Sequence, residues 1–252
     1  MPNGPKVHSA FVISKSNPPR NLAPTICGMK DPTDQDDFSA VPLFPLPNVV
    51  LFPGAILPLH IFEERYKAMT ADALRGPRLI AMALLRPGWE KNYHGRPAIE
   101  PVVCVGDIIS HERLEDGRYN FLLRGIKRAT LVREYGDEPY RIAWLEPMQD
   151  NGVLEIDLAD ERRRLAAVFQ TPILRMSSLG HKFAQLLAGP APTSHIADLI
   201  AFYFIEDVAL KQAVLAENDV RARVGRVVEN FESLHSVLQT CTLEGARNPS
   251  MN

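Results

Sequence analysis

Hydrophobic residues in the first half of the chain occur as short runs, some alternating with polar residues, between turn-forming residues. Runs of this length and pattern are typical of β-strands, because alternate side chains of a strand point to opposite faces. The strand candidates are Val41–Leu46, Ile56–Ile61, Leu79–Leu85, Val102–Ile109, the alternating Tyr119, Phe121 and Leu123, then Ala129–Val132 and Arg141–Leu145. Glu115-Asp116-Gly117 is predicted as a type I′ hairpin turn and Gly125 as a bend. Residues 40–149 are therefore predicted to form a β-rich unit.

One helix is predicted inside this unit. Four apolar residues recur there at the spacing of a single helical face. They are Phe62, Tyr66, Met69 and Ala73. Glu63 and Glu64 would lie in the first turn, where negative charge suits the helix dipole. Gly76-Pro77 would end the helix.

The segment 41–66 is apolar enough to suggest a membrane span, but five prolines and one glycine interrupt it. A spanning helix needs about 20 residues, and Pro47 and Pro53 would each break it. Both prolines instead fall in predicted turns, together with Asn48 and Gly54. The segment is therefore predicted to form irregular strands at the margin of a sheet, and no membrane association is expected.

From about residue 150 the hydrophobic pattern changes to helical spacing. The predicted buried stripes are Leu158, Leu165, Val168 and Phe169, a short helix over Leu179–Leu187, a helix capped by Thr193 or Ser194 with Ile196, Leu199, Ile200 and Tyr203, and a last helix with Val220, Val224, Val227, Val228, Phe231, Leu234 and Leu238. Residues 150–241 are thus predicted to form a helical subdomain with a long last helix. Residues 1–39 are predicted to be an irregular extension, and 242–252 a flexible tail.

Charge and cysteine content limit the choice of partners and compartments. The 252 residues carry a formal net charge of −2, so no overall basic field would attract nucleic acid, which is not expected as a partner. The cysteines Cys27, Cys104 and Cys241 form no CxxC pair, and no signal peptide precedes them. Reduced thiols and a cytoplasmic location are therefore expected.

Motifs for catalysis and for cofactor binding are missing from the sequence. It contains no Gly-Lys dipeptide, and so no GxxxxGK[ST] phosphate loop. It also contains no HExxH motif and no histidines and cysteines at zinc-binding spacing. The stretch Met176-Ser177-Ser178-Leu179-Gly180 lacks the first glycine of a GxSxG elbow. No catalytic residue, metal or cofactor is predicted.

Three features with reactive or charged side chains have a structural interpretation. Cys104 lies in an apolar strand and is predicted to be a buried, inert thiol. His60 is predicted to pack within the sheet or at its rim. Arg162-Arg163-Arg164 follows Asp160-Glu161 on a predicted helix and is interpreted as a solvated, partly paired face, with a site for an acidic partner as the alternative.

A polar loop from Pro87 to Pro97 contains three aromatic or imidazole side chains between glycines. Exposed aromatic residues on such a loop are typical of recognition surfaces. The candidate peptide-binding residues are Trp89, Tyr93, His94 and Arg96. The alternative is that Trp89 folds back onto the sheet.

Three blocks of the chain resemble one known family. The first consists of Pro42-Leu43-Phe44-Pro45-Leu46, Val50-Leu51-Phe52-Pro53-Gly54, Leu57-Pro58-Leu59 and Ile61-Phe62-Glu63-Glu64-Arg65-Tyr66. The second consists of Val105-Gly106, Asp116-Gly117-Arg118-Tyr119 and Leu123-Arg124-Gly125-Ile126-Lys127-Arg128-Ala129, and the third of Ala197-Asp198-Leu199-Ile200-Ala201, Lys211-Gln212, Leu215, Asp219-Val220 and Arg223. Together, over about residues 41 to 240, they look like the amino-terminal domain of Lon proteases. The resemblance is greatest to short bacterial proteins made of that domain alone.

The resemblance implies an α+β fold: a PUA-like β-barrel with one helix, followed by an α-helical bundle with a long C-terminal helix. It also implies a role, because this domain of Lon helps to recognise unfolded or tagged proteins. In Lon, ATP hydrolysis and peptide cleavage belong to later domains. Nothing in this sequence resembles the nucleotide loop or the Ser-Lys segment of those domains, so a non-catalytic module is expected.

The leading hypothesis is a module that binds exposed apolar or extended protein segments, as an adaptor to a separate protease in protein quality control. Binding would occur in a groove between barrel and bundle or by strand addition. One alternative is RNA binding through a cluster of Arg118, Arg124, Lys127 and Arg128. Another is small-molecule binding in a deep polar pocket.

Overall fold

The computed structural model describes residues 37–93, 95–136 and 139–247, with the backbone alone for 234, 235 and 237–247. Within these residues one sheet contains β1 (Val41–Leu46), β2 (Ile56–Ile61), β3 (Leu79–Leu84), β4 (Val102–Arg113), β5 (Tyr119–Tyr135) and β6 (Arg141–Pro147). Helix α1 (Glu64–Arg75) connects β2 to β3. The strands predicted from the hydrophobic pattern are confirmed. Strands β4 and β6 extend beyond their predicted ends, and β5 joins two runs that were predicted separately.

Strand β5 organises the sheet, because its 17 residues pair with three other strands. Its first part pairs with β2, its second part with β6, and most of its length with β4, always antiparallel. Strands β3 and β1 are parallel to each other and complete the order from β4 to β6. The β5–β6 pairing closes five strands on themselves and leaves β2 outside, so the sheet is barrel-like without being a regular barrel.

Two details of the sheet differ from the prediction. Strand β5 continues through Gly125, and the predicted bend takes the form of a register shift against Val105 and Gly106 of β4. In the turn before β5, Gly117 has a φ of 80°, whereas Asp116 keeps a negative φ. A type I′ turn needs positive φ at both central residues, so that predicted turn type is wrong.

The buried face of α1 begins later than predicted. Its buried residues are Tyr66, Met69, Thr70 and Ala73. Phe62 lies before the helix and is 36% exposed, so the prediction that it starts the stripe is wrong. Glu63 occupies the position before the first helical residue in an extended conformation and makes no side-chain cap. Its carboxylate is directed to other partners, described below.

The second half of the described chain is helical. It contains α2 (Ala159–Phe169), α3 (Pro172–Arg175), α4 (Ser178–Ala188), α5 (Thr193–Phe204), α6 (Val208–Ala216) and α7 (Val220–Arg247). Helices α3 and α6 are short and were not predicted from periodicity. The face of α7 is buried from Val220 to Phe231, whereas the predicted Leu234 and Leu238 lie outside the described side chains. Helix α7 continues to Arg247, where the sequence predicts a tail from residue 242.

A cluster of aromatic rings fills the centre of this helical part. Phe169 of α2 stacks on Phe183 of α4 with ring centroids 5.3 Å apart, and it lies 5.0 Å from Phe231 of α7. Phe204 of α5 contacts both Phe183 and Phe231. Such rings contribute apolar area and specific packing geometry. The α+β class, a barrel-like sheet with one helix followed by packed helices, is therefore confirmed. Across the described residues, no helix combines the length and the apolar character needed to cross a bilayer.

Arg162 is not part of a solvated face, contrary to the prediction for the arginine triplet. Its guanidinium donates to the carbonyls of Leu186, Leu187, Gly189 and Ala191. These carbonyls lie at and just after the end of α4, where backbone acceptors lack helical partners and a positive charge is favourable. Arg163 and Arg164 do form paired surface contacts, with Asp160 at 3.0 Å and Glu232 at 2.6 Å.

The start of α5 also uses a partner that the sequence does not suggest. Helix α5 begins at Thr193 after Pro192, and no side chain of the helix itself caps it. The carboxylate of Glu155 instead accepts from the backbone N–H of Thr193 at 3.1 and 3.2 Å. The predicted cap by Thr193 or Ser194 is therefore wrong, because a carboxylate from the preceding segment takes that role.

Cys104 is fully buried in β4, and burial raises the pKa of its thiol to about 12. In a variant with Cys27→Ser and Cys241→Ser, we expect Cys104 to react with the thiol reagent DTNB on the order of 10³-fold or more slowly in the folded protein than in denaturant, because reaction requires opening of the sheet. Adding Ile109→Cys, at a position 40% exposed on the same strand, provides the reactive control. Rapid native labelling of Cys104 would contradict its burial.

Candidate functional site

The connection between β3 and β4 covers a pocket at one end of the sheet. It contains a 3₁₀ turn over Trp89–Asn92, preceded by Gly88 with a φ of 88°. The pocket has a volume of about 240 Å³ and is lined by Pro45, Arg65, Tyr66, Leu85, Tyr93, Gly95, Arg96, Pro97, Pro139, Tyr140 and Arg141. We call it the loop pocket. The described lining thus contains three arginines, three tyrosines and no acidic residue.

Arg65 lies at the centre of the contacts between α1 and the loop. Its guanidinium carbon is 4.5 Å from the ring centroid of Tyr66 and 4.9 Å from that of Tyr93. Its Nε donates to Glu63 at 2.9 Å, and the other oxygen of Glu63 accepts from the Tyr93 hydroxyl at 2.7 Å. These contacts hold the loop against the start of α1 through stacking and charge-assisted hydrogen bonds.

Two further arginines connect the loop to the start of β6. Arg141 donates to the carbonyl of Pro97 at 2.7 Å and forms a two-pronged pair with Glu134 of β5. Arg96 donates to the carbonyl of Gly136. Because one arginine comes from each side, the loop and the segment before β6 are joined across the pocket.

The environment of the loop pocket keeps its polar groups in their donor forms. Burial raises the pKa of Tyr93 to about 12, and the hydrogen bond to Glu63 adds to the rise. Burial likewise raises the pKa of Tyr66, although Arg65 acts against this shift. Burial disfavours the charged form of Arg65, but Tyr66 and Glu63 outweigh it and raise its pKa. At neutral pH the tyrosines are therefore protonated and the arginine is charged.

The four predicted peptide-binding residues do not share one environment. Tyr93 and Arg96 line the loop pocket. Trp89 is half-buried and packs against the core of the sheet, with its ring 5.5 Å from that of Tyr93, so it folds back as the alternative interpretation stated. His94 lies outside the described residues.

Sequence reasoning missed the lining residues that come from other elements. Tyr66 was predicted only as part of the apolar stripe of a helix, and Arg65 was noticed only in the family resemblance. Arg141 was predicted only as the start of a strand, and Tyr140 was not singled out. The tyrosine at 140 donates to Asp72 of α1 at 2.7 Å. The run Glu63-Glu64-Arg65-Tyr66 at the start of α1 was the available signal, but only the fold brings these residues beside the loop.

Three of the four basic residues considered for RNA binding are paired with acidic residues. Each of the three arginines has an aspartate partner, in the pairs Arg118–Asp116 (2.5 Å), Arg124–Asp107 (2.7 Å) and Arg128–Asp198 (2.5 Å). Arg128 is in addition buried. Binding to phosphates through counterion release needs basic groups that are free to face the nucleic acid, so this arrangement does not support the RNA alternative. Within the described residues, no group of three or more His, Cys, Asp or Glu side chains is arranged to hold a metal ion.

Residues 40–231 match the family described as the ATP-dependent protease La (LON) substrate-binding domain. The match covers well over half of the chain, and the chain therefore belongs to this family. Similar relatives include the Lon protease of Anaeromyxobacter dehalogenans, 26% identical over 208 residues (82% of this chain, 25% of the relative). The Lon protease of Roseiflexus castenholzii is 28% identical over 210 residues (83% of this chain, 26% of the relative). The chain thus spans about a quarter of the length of these curated relatives.

Two solved structures have the same fold. The N-terminal domain of Mycobacterium avium complex Lon protease gives a TM-score of 0.61 at 16% identity and covers 77% of this chain and 98% of that chain. The Lon N-terminal domain protein from Xanthomonas campestris gives a TM-score of 0.55 at 24% identity, over 76% and 98% respectively. At these identities the likeness shows the fold alone.

Proposed function

We propose that the chain binds exposed, extended or apolar segments of other proteins, and that the loop pocket is a contact site for them. The observation that carries the proposal is the match of residues 40–231 to a substrate-binding domain. Aromatic and cationic side chains around a pocket are also the chemistry enriched at protein-binding surfaces. We further propose that the module is a non-catalytic adaptor in protein quality control, presenting bound proteins to a separate protease.

The other two binding modes considered from the sequence are less well supported. Strand addition would use the outer edge of β2, but Pro58 in the middle of that strand has no N–H to donate. Binding in a groove between sheet and helices is less well supported because the two are in direct contact. Gln212 of α6 donates to the carbonyl of Val102 in β4 at 2.9 Å. Apolar residues of both halves also belong to one core. These contacts favour the loop pocket.

At the loop pocket, the small-molecule alternative is limited by the volume available. Sites for drug-sized ligands typically occupy about 300–1,000 Å³. At about 240 Å³, the loop pocket has room for one chain end or one large side chain. This size supports recognition of a single residue of a longer polypeptide.

The proposal is tested by binding of an unfolded protein. We expect immobilised dephosphorylated casein to bind the chain, and Tyr93→Ala to weaken this binding about tenfold, because one buried aromatic contact in a binding pocket contributes about 1–2 kcal/mol. The measurement is biolayer interferometry. Trp89→Ala is expected to have the smaller effect, because Trp89 packs against the core of the sheet and does not line the pocket.

The control is Tyr203→Ala, which removes an exposed tyrosine on α5, outside the loop pocket. Absence of casein binding would contradict the proposed function. Equal losses for Tyr93→Ala and Tyr203→Ala would remove the loop pocket from it.

A further inference from the structure

Two hydrogen-bond donors of the loop pocket have no hydrogen-bond partner among the described residues. One is the buried Nη2 of Arg65. The other is the hydroxyl of Tyr66, a residue that is 4% exposed and whose ring, not its hydroxyl, contacts Arg65. Buried donors in folded proteins are bonded in the great majority of cases. An acceptor group entering the pocket would therefore gain bonds that the chain itself does not make.

The nearest internal acceptor is already engaged. Glu63 accepts from Arg65 Nε at 2.9 Å through one oxygen and from the Tyr93 hydroxyl at 2.7 Å through the other. The same pair of bonds fixes the guanidinium plane between the rings of Tyr66 and Tyr93. Arg65 Nη1 donates to the carbonyl of Tyr93 at 3.4 Å, so only Nη2 is left without a partner. This group is thus pre-oriented, which lowers the entropy cost of binding.

The charge of the pocket selects an anion. Arg96 and Arg141 line it together with Arg65, and no acidic side chain is among the described lining residues. Arg96 donates to a neutral carbonyl, so its charge is not compensated by that contact. Arg141 is held in place by Glu134 and by the carbonyl of Pro97. A planar group with two acceptor oxygens complements such guanidinium donors best.

We propose that the loop pocket binds a carboxylate of the recognised polypeptide, either its carboxyl terminus or the side chain of an aspartate or glutamate. This inference rests on the proposed function and names the chemical group that the pocket takes. The two oxygens accept from Arg65 and from the Tyr66 hydroxyl, while the prolines and Leu85 contact the carbon atoms that carry the group. A carboxylate next to apolar atoms is therefore the fitting ligand.

Four amino-terminally biotinylated peptides based on the sequence Gly-Ser-Gly-Ser-Leu-Phe test the proposal by biolayer interferometry. One has a free carboxyl terminus, one is amidated, one is amidated with glutamate in place of leucine, and the fourth replaces leucine by glutamine and is amidated. We expect at least one carboxylate peptide to bind about tenfold or more tightly than its neutral counterpart. The first pair reports on a chain end and the second on an acidic side chain.

Variants connect this difference to the pocket. Arg65→Met is expected to weaken binding of the carboxylate peptide on the order of 10–100-fold, and Tyr66→Phe about tenfold, with little change for the amide. Tyr66→Phe keeps the ring that packs against Phe44 and so keeps the variant testable if Arg65→Met does not fold. The matched control is Arg124→Met, an arginine paired with Asp107 outside the pocket, which is expected to leave binding unchanged.

The outcomes separate this inference from the proposed function. If casein binds but the carboxylate and neutral peptides bind equally, the carboxylate inference is overturned and the proposed function stands. If Arg124→Met weakens peptide binding as much as Tyr66→Phe, the assignment to the loop pocket is overturned. Displacement of the peptide by inorganic phosphate as efficiently as by acetate would overturn the selectivity for a carboxylate. If neither casein nor any peptide binds, both proposals are overturned.

Discussion

Replacing Asp198 with alanine is expected to lower the free energy of unfolding by about 3–5 kcal/mol, because it leaves buried arginines without their counter-ion. Asp198 is 3% exposed and lies on α5. It accepts from Arg128 Nη2 of β5 at 2.5 Å, and Arg223 Nε of α7 lies 3.4 Å from the same oxygen. The aspartate therefore connects the sheet with two helices.

The two arginines differ in the hydrogen-bond partners that they retain after Asp198→Ala. Arg223 keeps Asp150, to which it donates at 2.9 and 2.8 Å. Arg128 keeps only the carbonyl of Leu215, at 3.0 Å, among its described hydrogen bonds. Most of the cost is thus expected to come from Arg128, whose charge stays buried between sheet and helices.

Urea unfolding followed by circular dichroism measures this effect. The matched control is Asp107→Ala, which breaks an aspartate–arginine pair on the outside of the sheet, where Arg124 is half exposed. Exposed pairs contribute at most about 1 kcal/mol, so the control should lose far less stability. Adding Arg128→Met to Asp198→Ala should recover part of the loss, because it removes the unpaired charge. Equal losses of unfolding free energy for Asp198→Ala and Asp107→Ala would show that the buried pair stabilises the fold no more than the exposed pair.

The main elements of the fold could be predicted because burial patterns are local. The alternation of apolar residues marks β2 at Ile56–Ile61, and helical spacing marks the buried face of α7 from Val220. Helix starts were predicted less well. The carboxylate that binds the first N–H of α5 comes from Glu155, 38 residues earlier, and no local pattern reveals it.

The loop pocket could be predicted only in part. Tyr93 and Arg96 were identified because aromatic and cationic residues stand out in a polar loop. Arg65 and Arg141 reach the same pocket from elements far apart in the sequence, and the β1–β6 pairing that brings Arg141 there is a long-range contact. Arg162 was mispredicted for the same reason. A charged side chain is expected to face solvent, but the partners of Arg162 are backbone carbonyls of a later segment.

Replacing Gly125 with alanine is expected to cost roughly 3–5 kcal/mol of unfolding free energy, combining overpacking with the loss of two backbone hydrogen bonds. A Cβ at this position would overlap the carbonyl oxygen of Phe52 and lie 3.1 Å from the sulfur of Cys104. The obstacle is backbone, which cannot rotate away as the end of a side chain can. Gly125 also donates to Ala55 at 2.9 Å and accepts from Gly54 at 2.8 Å, so β5 cannot move without breaking both bonds.

The matched control is Gly225→Ala in the second turn of α7, where an added Cβ meets nothing within 4 Å. Alanine there should raise the free energy of unfolding by about 0.5–1 kcal/mol, because it removes backbone freedom from the unfolded chain. Replacing glycine by alanine is thus expected to lower the free energy of unfolding at Gly125 and to raise it at Gly225. Urea unfolding measures both effects. A Gly125→Ala protein as stable as the parent would mean that the segment Phe52–Ala55 can withdraw from β5, contrary to the contacts that hold it there.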